Sequence, residues 1–369
     1  MKYYIIAGEP SGDLHGSNLI KALKNLDPGF DIRCWGGEKM ESEGAVLVKH
    51  YKDLAFMGFL EVIKNISTIL KNIKFCKTDI LKFKPDVIVL IDYPGFNMRI
   101  AEWASKQGFK VVYYISPQVW AWKENRVKIL KRFVDKMIVI LPFEKKFYKN
   151  KWSWDVEYVG HPLLENIDNF INSHADLKLN EKQIAILPGS RKQEILVKLP
   201  VMLKASKNFN DYKFVVAKAP GLPSEFYDDL LKAYTNVEFV NDKTYQLLQT
   251  SVAAIVTSGT ATLETALFNV PQIICYKGNA VSYSIAKRLI KIKFIGLVNL
   301  IMNKEVVKEL IQNDLTPENI TKELSLILND KEKIRQIKDD YKKLRNELSE
   351  EGSASKKAAE LIYEVASLN

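Results

Sequence analysis

Cysteine is scarce. Cys34, Cys76 and Cys275 are the only three in 369 residues. An odd number of distant thiols in no zinc spacing argues against a disulfide framework or a metal centre, and they read as reduced and incidental. No apolar run reaches the ~18 residues that span a bilayer. Met1-Lys2-Tyr3 leads straight into an apolar segment, so no secretory signal is expected and the cytoplasm is the natural address. The dinucleotide pattern G-x-G-x-x-G is missing as well. The first glycine-rich loop, Gly8-Glu9-Pro10-Ser11-Gly12-Asp13-Leu14-His15-Gly16, spaces its glycines every fourth residue. The following strand, Asp31 to Trp35, ends in Gly36-Gly37 without an acidic residue for a cofactor ribose. Both features count against a nicotinamide cofactor, and none of any kind is expected. No Asp-x-Asp closes a strand, and Asp228-Asp229 and Asp339-Asp340 fall in expected helices, so the chemistry is expected to need no metal.

What is present is a globular composition, 47% hydrophobic and 27% charged, long enough for two domains. The net charge is +10 and is unevenly spread. Residues 123–151 hold ten Lys/Arg against three acids, beside Trp120, Trp122, Phe143, Phe147, Tyr148, Trp152 and Trp154. Such a patch attracts polyanions: nucleic acid, anionic headgroups or a phosphorylated substrate. A solvated basic surface over aromatic core residues accounts for the same residues.

The chain opens with an apolar strand, Lys2 to Ala7, a Gly-rich loop and a helix to about Lys24, the opening of a nucleotide-type α/β domain. Lys52 to Lys84 is expected to be mainly helical. Its start, Leu54-Ala55-Phe56-Met57-Gly58-Phe59-Leu60, is more apolar than one helical face requires. It reads either as a buried helix start or as a surface in which Phe56, Met57, Phe59 and Leu60 meet a membrane or acyl chains. Val87 to Ile91 is a fully apolar strand ending in Asp92-Tyr93-Pro94-Gly95-Phe96-Asn97. The carboxyl end of a central parallel strand faces the ligand crevice, so Asp92 stands where a general base belongs; turn formation is its other use. After strand Lys110 to Ile115 come Ser116-Pro117 and Trp120-Ala121-Trp122, with Arg126 a turn later. These read as core anchors or as an acceptor wall. Further strands are expected at Met137 to Leu141 and Val156 to Val159. His161 closes this half, as a structural or a ligand-contacting residue.

Asn166 to Asn180 is mostly polar and reads as a linker. Strand–helix alternation then restarts. Gln183 to Leu187 runs into Pro188-Gly189-Ser190-Arg191, an ordinary joint or an anion site made of a helix start and a bidentate guanidinium. Strand Val252 to Val256 opens onto Ser258-Gly259-Thr260, a second candidate phosphate nest, with Glu264 placed for a ribose. Two such helix starts in one domain suggest a nucleoside diphosphate. Ser282 to Phe294, with Lys287, Arg288, Lys291 and Lys293, reads as a helix–strand pair or a basic amphipathic surface. Leu300 to Asn313 and Thr316 to Asn329 read as helices. Lys331 to Glu347 and Ala354 to Leu368 form a helical tail that crosses back to the first domain.

Together these segments resemble the lipid-A-disaccharide synthase family of inverting glycosyltransferases. The resemblance is carried by Ala7-Gly8-Glu9-Pro10-Ser11-Gly12-Asp13, Leu54 to Gly58, Ile91 to Asn97, Ser116-Pro117 with Trp120-Ala121-Trp122, Leu187 to Arg191, Ser258 to Ala261 with Glu264, and Val298-Asn299-Leu300 with Glu305 and Glu309. Pro10, Gly95, Gln118 and Val298 depart from the family pattern. With Gly95 in place of an acid, Asp92 is the only carboxylate in its loop.

The resemblance implies the α/β GT-B fold, two Rossmann-like doubly wound domains facing across a cleft. An acceptor domain at 1–165, completed by a C-terminal helix at about 350–369, would accompany a donor domain at 166–349. It implies UDP-2,3-diacylglucosamine and lipid X (2,3-diacylglucosamine 1-phosphate) as substrates, joined β(1→6) with release of UDP, at the cytoplasmic face of an inner membrane. Asp92 and Arg191 would be catalytic. Gly189, Ser190, Ser258, Gly259, Thr260, Glu264 and Asn299 would bind UDP. Glu9, Ser11, Gly12, Asp13, Ser116, Trp120, Trp122 and Arg126 would form the acceptor side. The remaining expected partners are an anionic membrane surface and a second copy meeting through the C-terminal tail, with no nucleic acid. A sugar-nucleotide epimerase is the nearest rival. A nucleic-acid-binding protein would explain the charge but not Ser258-Gly259-Thr260 with Glu264.

Overall fold

The computed structural model describes residues 1–54, 66–219, 221–279, 283 and 292–368. Phe56, Met57, Phe59 and Leu60 lie outside the described residues, as do Lys287, Arg288 and Lys291. The chain divides into two compact units, Met1–Pro162 with Leu348–Asn369, and Leu163–Glu347.

The first unit contains a seven-stranded parallel sheet of order β3-β2-β1-β4-β5-β6-β7. Its strands are β1 Lys2–Ala7, β2 Asp31–Gly36, β3 Val46–His50, β4 Val87–Ile91, β5 Lys110–Tyr114, β6 Lys136–Val139 and β7 Glu157–Tyr158. β4 is buried along its whole length and β1 at every residue after Lys2, as a parallel strand covered on both faces must be. The helix Ala354–Ser367 returns to this unit and packs on the helix Pro10–Leu26, with Ala358, Ala359, Ile362 and Val365 buried.

The second unit holds a six-stranded parallel sheet, β10-β9-β8-β11-β12-β13. The strands are β8 Asn180–Leu187, β9 Lys213–Ala217, β10 Val237–Val240, β11 Ser251–Thr257, β12 Gln272–Tyr276 and β13 Glu309–Ile311. In each sheet the strand order reverses between the first strand and the fourth, β1 beside β4 and β8 beside β11. Ligand crevices in open α/β sheets form at such switch points.

Two expectations fail. The supposed linker at 166–180 begins inside a helix, Leu163–Ser173. Asn169 and Asn172 are exposed while Leu163, Leu164 and Ile167 are buried, a helical spacing that composition alone hides. That helix belongs to the second unit, so the division falls after Pro162 rather than after 165. The supposed helix at Leu300 to Asn313 is a short helix, Leu297–Ile301, followed by β13. A three-residue strand leaves no period to read. The three cysteines are free and buried. No helix among the described residues is long and apolar enough to cross a membrane.

Candidate active site

In the first unit, the loops after β1 and β4 meet at the switch point. Asp92 and Tyr93 both adopt left-handed backbone conformations, φ 43° and 47°, a strained state for residues with a side chain. The strain is held by hydrogen bonds. Tyr113 Oη donates to the Asp92 carbonyl at 2.6 Å, and Asn97 Nδ2 donates to the same carbonyl at 2.9 Å and to Ile91 O at 3.1 Å. Gly8 has no alternative residue, because a Cβ there would stand 2.4 Å from the Tyr93 ring.

The Asp92 side chain is reachable by solvent. Protein crowded around it nonetheless pushes its carboxyl up to about 7, and the neighbouring Glu9 carboxylate adds to the rise, while the Tyr93 N–H opposes it. A carboxylate of that basicity is suited to take a proton near neutral pH.

The rest of the expected acceptor side divides in two. Ser11 is exposed at the first turn of the helix Pro10–Leu26, and Gly12 sits against Ala7, where a Cβ would come within 3.0 Å. Asp13, however, is buried and turned inward. Its carboxylate accepts from the N–H groups of Gly37 at 2.7 Å, Met40 at 3.1 Å and Lys39 at 3.2 Å. It therefore caps the short helix Glu38–Ser42 and has little capacity left for a ligand. Ser116 Oγ shares a 2.6 Å hydrogen bond with Tyr148 Oη. Trp120 is half-buried, and its Nε1 donates to Glu144 at 3.1 Å. Trp122 is exposed, with Lys123 Nζ 4.2 Å and Arg126 Cζ 5.8 Å from its ring centre.

Glu144 was not anticipated. It is 1% exposed, accepts from Leu141 N at 3.0 Å at the start of the helix Pro142–Trp152, and its carboxyl is pushed up to about 8. Burial is the main cause, hydrogen bonds from Leu141, Trp120 and Ile140 oppose it, and the Asp92 charge adds to it. The same unit buries two histidines far apart in sequence, His15 and His161. His15 is pushed down to about 4 by burial, and His161 down to about 3 by burial and by His15.

In the second unit, β8 and β11 deliver their loops side by side, with Leu187 paired to Val256. Thr257 Oγ1 ties the loops together by donating to Pro188 O at 3.0 Å. They enclose a cavity of about 260 Å³ lined by Gly189, Ser190, Ser258, Gly259, Thr260 and Glu264 among others. Gly189 and Gly259 take φ of 118° and 142°, conformations open to glycine alone in practice. Thr260 begins the helix Thr260–Leu267 and Lys192 begins the helix Lys192–Ser206, so both helix starts bring unpaired N–H groups and positive dipole ends to the loops. Arg191 is exposed at the second start, 3.6 Å from Glu194. Glu264 is half-buried and accepts from Tyr245 Oη at 3.3 Å; burial raises its pKa, against that hydrogen bond.

Among the cavity residues that escaped the sequence reading are Glu194, Thr244 and Lys218. Lys218 follows β9 directly and donates to Ser224 Oγ at 2.8 Å. The signal for it was the strand end itself, third in the row of carboxyl-terminal loops. Asn299 is not among the lining residues. Its amide is used up internally: Nδ2 donates to Val307 O and Glu309 Oε1, and Oδ1 accepts from Val306 N and Val307 N. It shapes the chain before β13.

Two parallel α/β units with these switch points are the architecture of GT-B glycosyltransferases and of the sugar-nucleotide epimerases that share it. A UDP-GlcNAc 2-epimerase from Neisseria meningitidis superposes with a TM-score of 0.67 over 99% of this chain and 100% of its own, at 13% identity. The glycosyltransferase of kitacinnamycin gives 0.67 over 99% and 98%, at 12% identity. Sequence narrows the class. The family profile for lipid-A-disaccharide synthetase matches residues 3–364. The lipid-A-disaccharide synthase of Syntrophus aciditrophicus is 39% identical over 96% of this chain and 95% of its own, and that of Coxiella burnetii 36% over 97% of each. The chain belongs to the lipid-A-disaccharide synthetase family, a glycosyltransferase family of lipid A biosynthesis.

Proposed function

We propose that the chain transfers 2,3-diacylglucosamine from UDP-2,3-diacylglucosamine to the 6-hydroxyl of 2,3-diacylglucosamine 1-phosphate, with inversion and release of UDP. The observation that carries the donor side is the cavity of the second unit, where two glycine-opened helix starts and Lys218 line one space. The UDP-GlcNAc held by the Neisseria epimerase is a ligand of the same chemistry. The diphosphate would lie against Gly189, Ser190 and Ser258 to Thr260, with Arg191 at the leaving phosphate and Glu264 on the ribose hydroxyls. As the anomeric C–O bond breaks, negative charge grows on the β-phosphate. Fixed donors and cations stabilise that state more than the ground state.

Asp92 would accept the proton of the attacking hydroxyl, its basicity raised towards the working pH by its surroundings and by Glu9. Glu9, Ser11 and the Trp120–Trp122 segment would form the acceptor side. Glu144 would hold the Trp120 ring in place. The exposed Trp122 with Lys123 and Arg126, and Phe56, Met57, Phe59 and Leu60, would engage an acylated, anionic substrate or an anionic membrane at the cytoplasmic face. A homodimer through the C-terminal tail is part of the same reading, and sedimentation of the intact protein tests it.

The reaction is tested by mass spectrometry of products from both substrates with EDTA present. A disaccharide 1-phosphate and UDP are expected. UDP-sugar alone should be returned unchanged; its epimerisation would contradict the proposal.

A further inference from the structure

One charged side chain under the donor cavity takes no part in the reading so far. Lys198 lies on the helix Lys192–Ser206 and is 3% exposed, among Ile195, Leu199 and Met202. A lysine is rarely buried without a partner. Its partner is Glu194, whose Oε2 is 3.6 Å from Lys198 Nζ, while Oε1 is 3.6 Å from Arg191 Nη1. Residues three and seven positions after Arg191 fall on its face of the helix, so the three charges form a row. Glu194 lies beneath the loop: its Oε2 is 2.8 Å from where a Cβ on Gly189 would be, and the residue lines the cavity.

An anion in the wall of a diphosphate site is a contradiction unless something neutralises it. Arg191 does so here, but Arg191 is also the cation best placed to turn outward, its side chain 59% exposed. Lys198 cannot turn outward. Burial holds its pKa below the ordinary lysine value, and Glu194 offsets only part of that fall.

We propose that Glu194 and Lys198 form a counter-ion exchange for the donor diphosphate. Before the diphosphate binds, Glu194 takes its place as the partner of Arg191. When the diphosphate takes the guanidinium, Lys198 alone keeps Glu194 neutralised and drawn back from the phosphates. Both are positioning residues that act through Arg191 and the Pro188–Arg191 loop. The inference rests on the donor-cavity reading above.

The test is UDP titration into the intact parent, Lys198→Met, Glu194→Gln and the double variant, with donor KM and kcat for each. Lys198→Met, which leaves Glu194 uncompensated beside the phosphates, should weaken UDP about tenfold, the scale of one lost charge-assisted contact, and raise donor KM. Glu194→Gln should bind UDP as well as the parent or better. The double variant should return to within about threefold of the parent, a coupling that a purely structural lysine would not produce. Parental UDP affinity in Lys198→Met, or a double variant as weak as Lys198→Met, overturns the exchange. Should Lys198→Met not fold, Glu194→Gln decides: UDP binding about tenfold weaker than the parent overturns the proposal. A parent protein that binds no UDP defeats the donor-cavity reading itself, whereas a parent that binds, beside a Lys198→Met that binds equally well, defeats the exchange alone.

Discussion

Each unit has its own switch-point crevice, and the two are furnished with opposite chemistry. At the β1/β4 switch point the facing groups are carboxylates, Asp92 and Glu9, and the Asp92 charge also reaches the buried Glu144. At β8/β11 they are the bare N–H groups of two helix starts, with Lys218 lining the cavity from the end of β9 and Arg191 exposed at the start of the helix Lys192–Ser206. The backbone differs to match. The first site needs a side chain at its tight turn, so Asp92 and Tyr93 carry left-handed conformations that cost on the order of 1–3 kcal/mol each. The second needs side chains absent so that N–H groups can reach a ligand, and there Gly189 and Gly259 carry the positive φ. Strand order thus decides where a ligand goes, and the first residues past the strands decide what is done to it.

The largest effect should come from the strained carboxylate. Asp92→Asn is predicted to lower kcat by about 10²–10⁴-fold, the usual worth of a general base. Steady-state turnover above about a tenth of the parent would remove Asp92 from that role. Next comes the cation of the other site. Arg191→Ala should lower kcat by about 10²–10³-fold, the scale of one donor to a developing oxyanion, and unchanged kinetics would separate it from the leaving group.

The pH profile sharpens the contrast. A base must be ionised, so kcat/KM should fall as the pH drops below about 7, the value to which the Asp92 carboxyl is raised. Glu9→Gln removes one cause of that rise and should move the inflection to lower pH; an unmoved profile would show that Glu9 does not act on Asp92.

The smallest effect concerns stability. His15 and His161 are held below the ordinary histidine value when folded. Their neutral rings stabilise the fold fully above pH 6.5. That contribution is lost as the pH falls from 6.5 toward about 4 for His15 and about 3 for His161. Thermal midpoints measured across this range should fall, and those of His15→Gln should fall less, by about 2–4 °C. Identical slopes for both proteins would discard the histidines as the cause.

The sequence made the joints legible because a strand's last apolar residue, a glycine or proline and a helix start follow one another without gaps. β1, β4, β8 and β11 and the loops that leave them could be read that way. Residues whose role depends on direction could not. Asp13 looks like part of an open loop until its three N–H partners are seen. Lys198 looks like one more surface lysine until the helix face is known. Asn299 sits in a recognisable motif, yet the motif does not say that its amide is already satisfied. The helix Leu163–Ser173 was hidden by its polar residues, among them the exposed Asn169 and Asn172.

The division of labour between the two sites is tested most directly by titrating UDP into Asp92→Asn and Arg191→Ala beside the parent. Asp92→Asn should bind UDP within about twofold of the parent, and Arg191→Ala about tenfold or more weakly, as expected for a lost charge-assisted contact. Equal affinity in all three proteins, or weakening in Asp92→Asn alone, would contradict the assignment of the donor to the second unit.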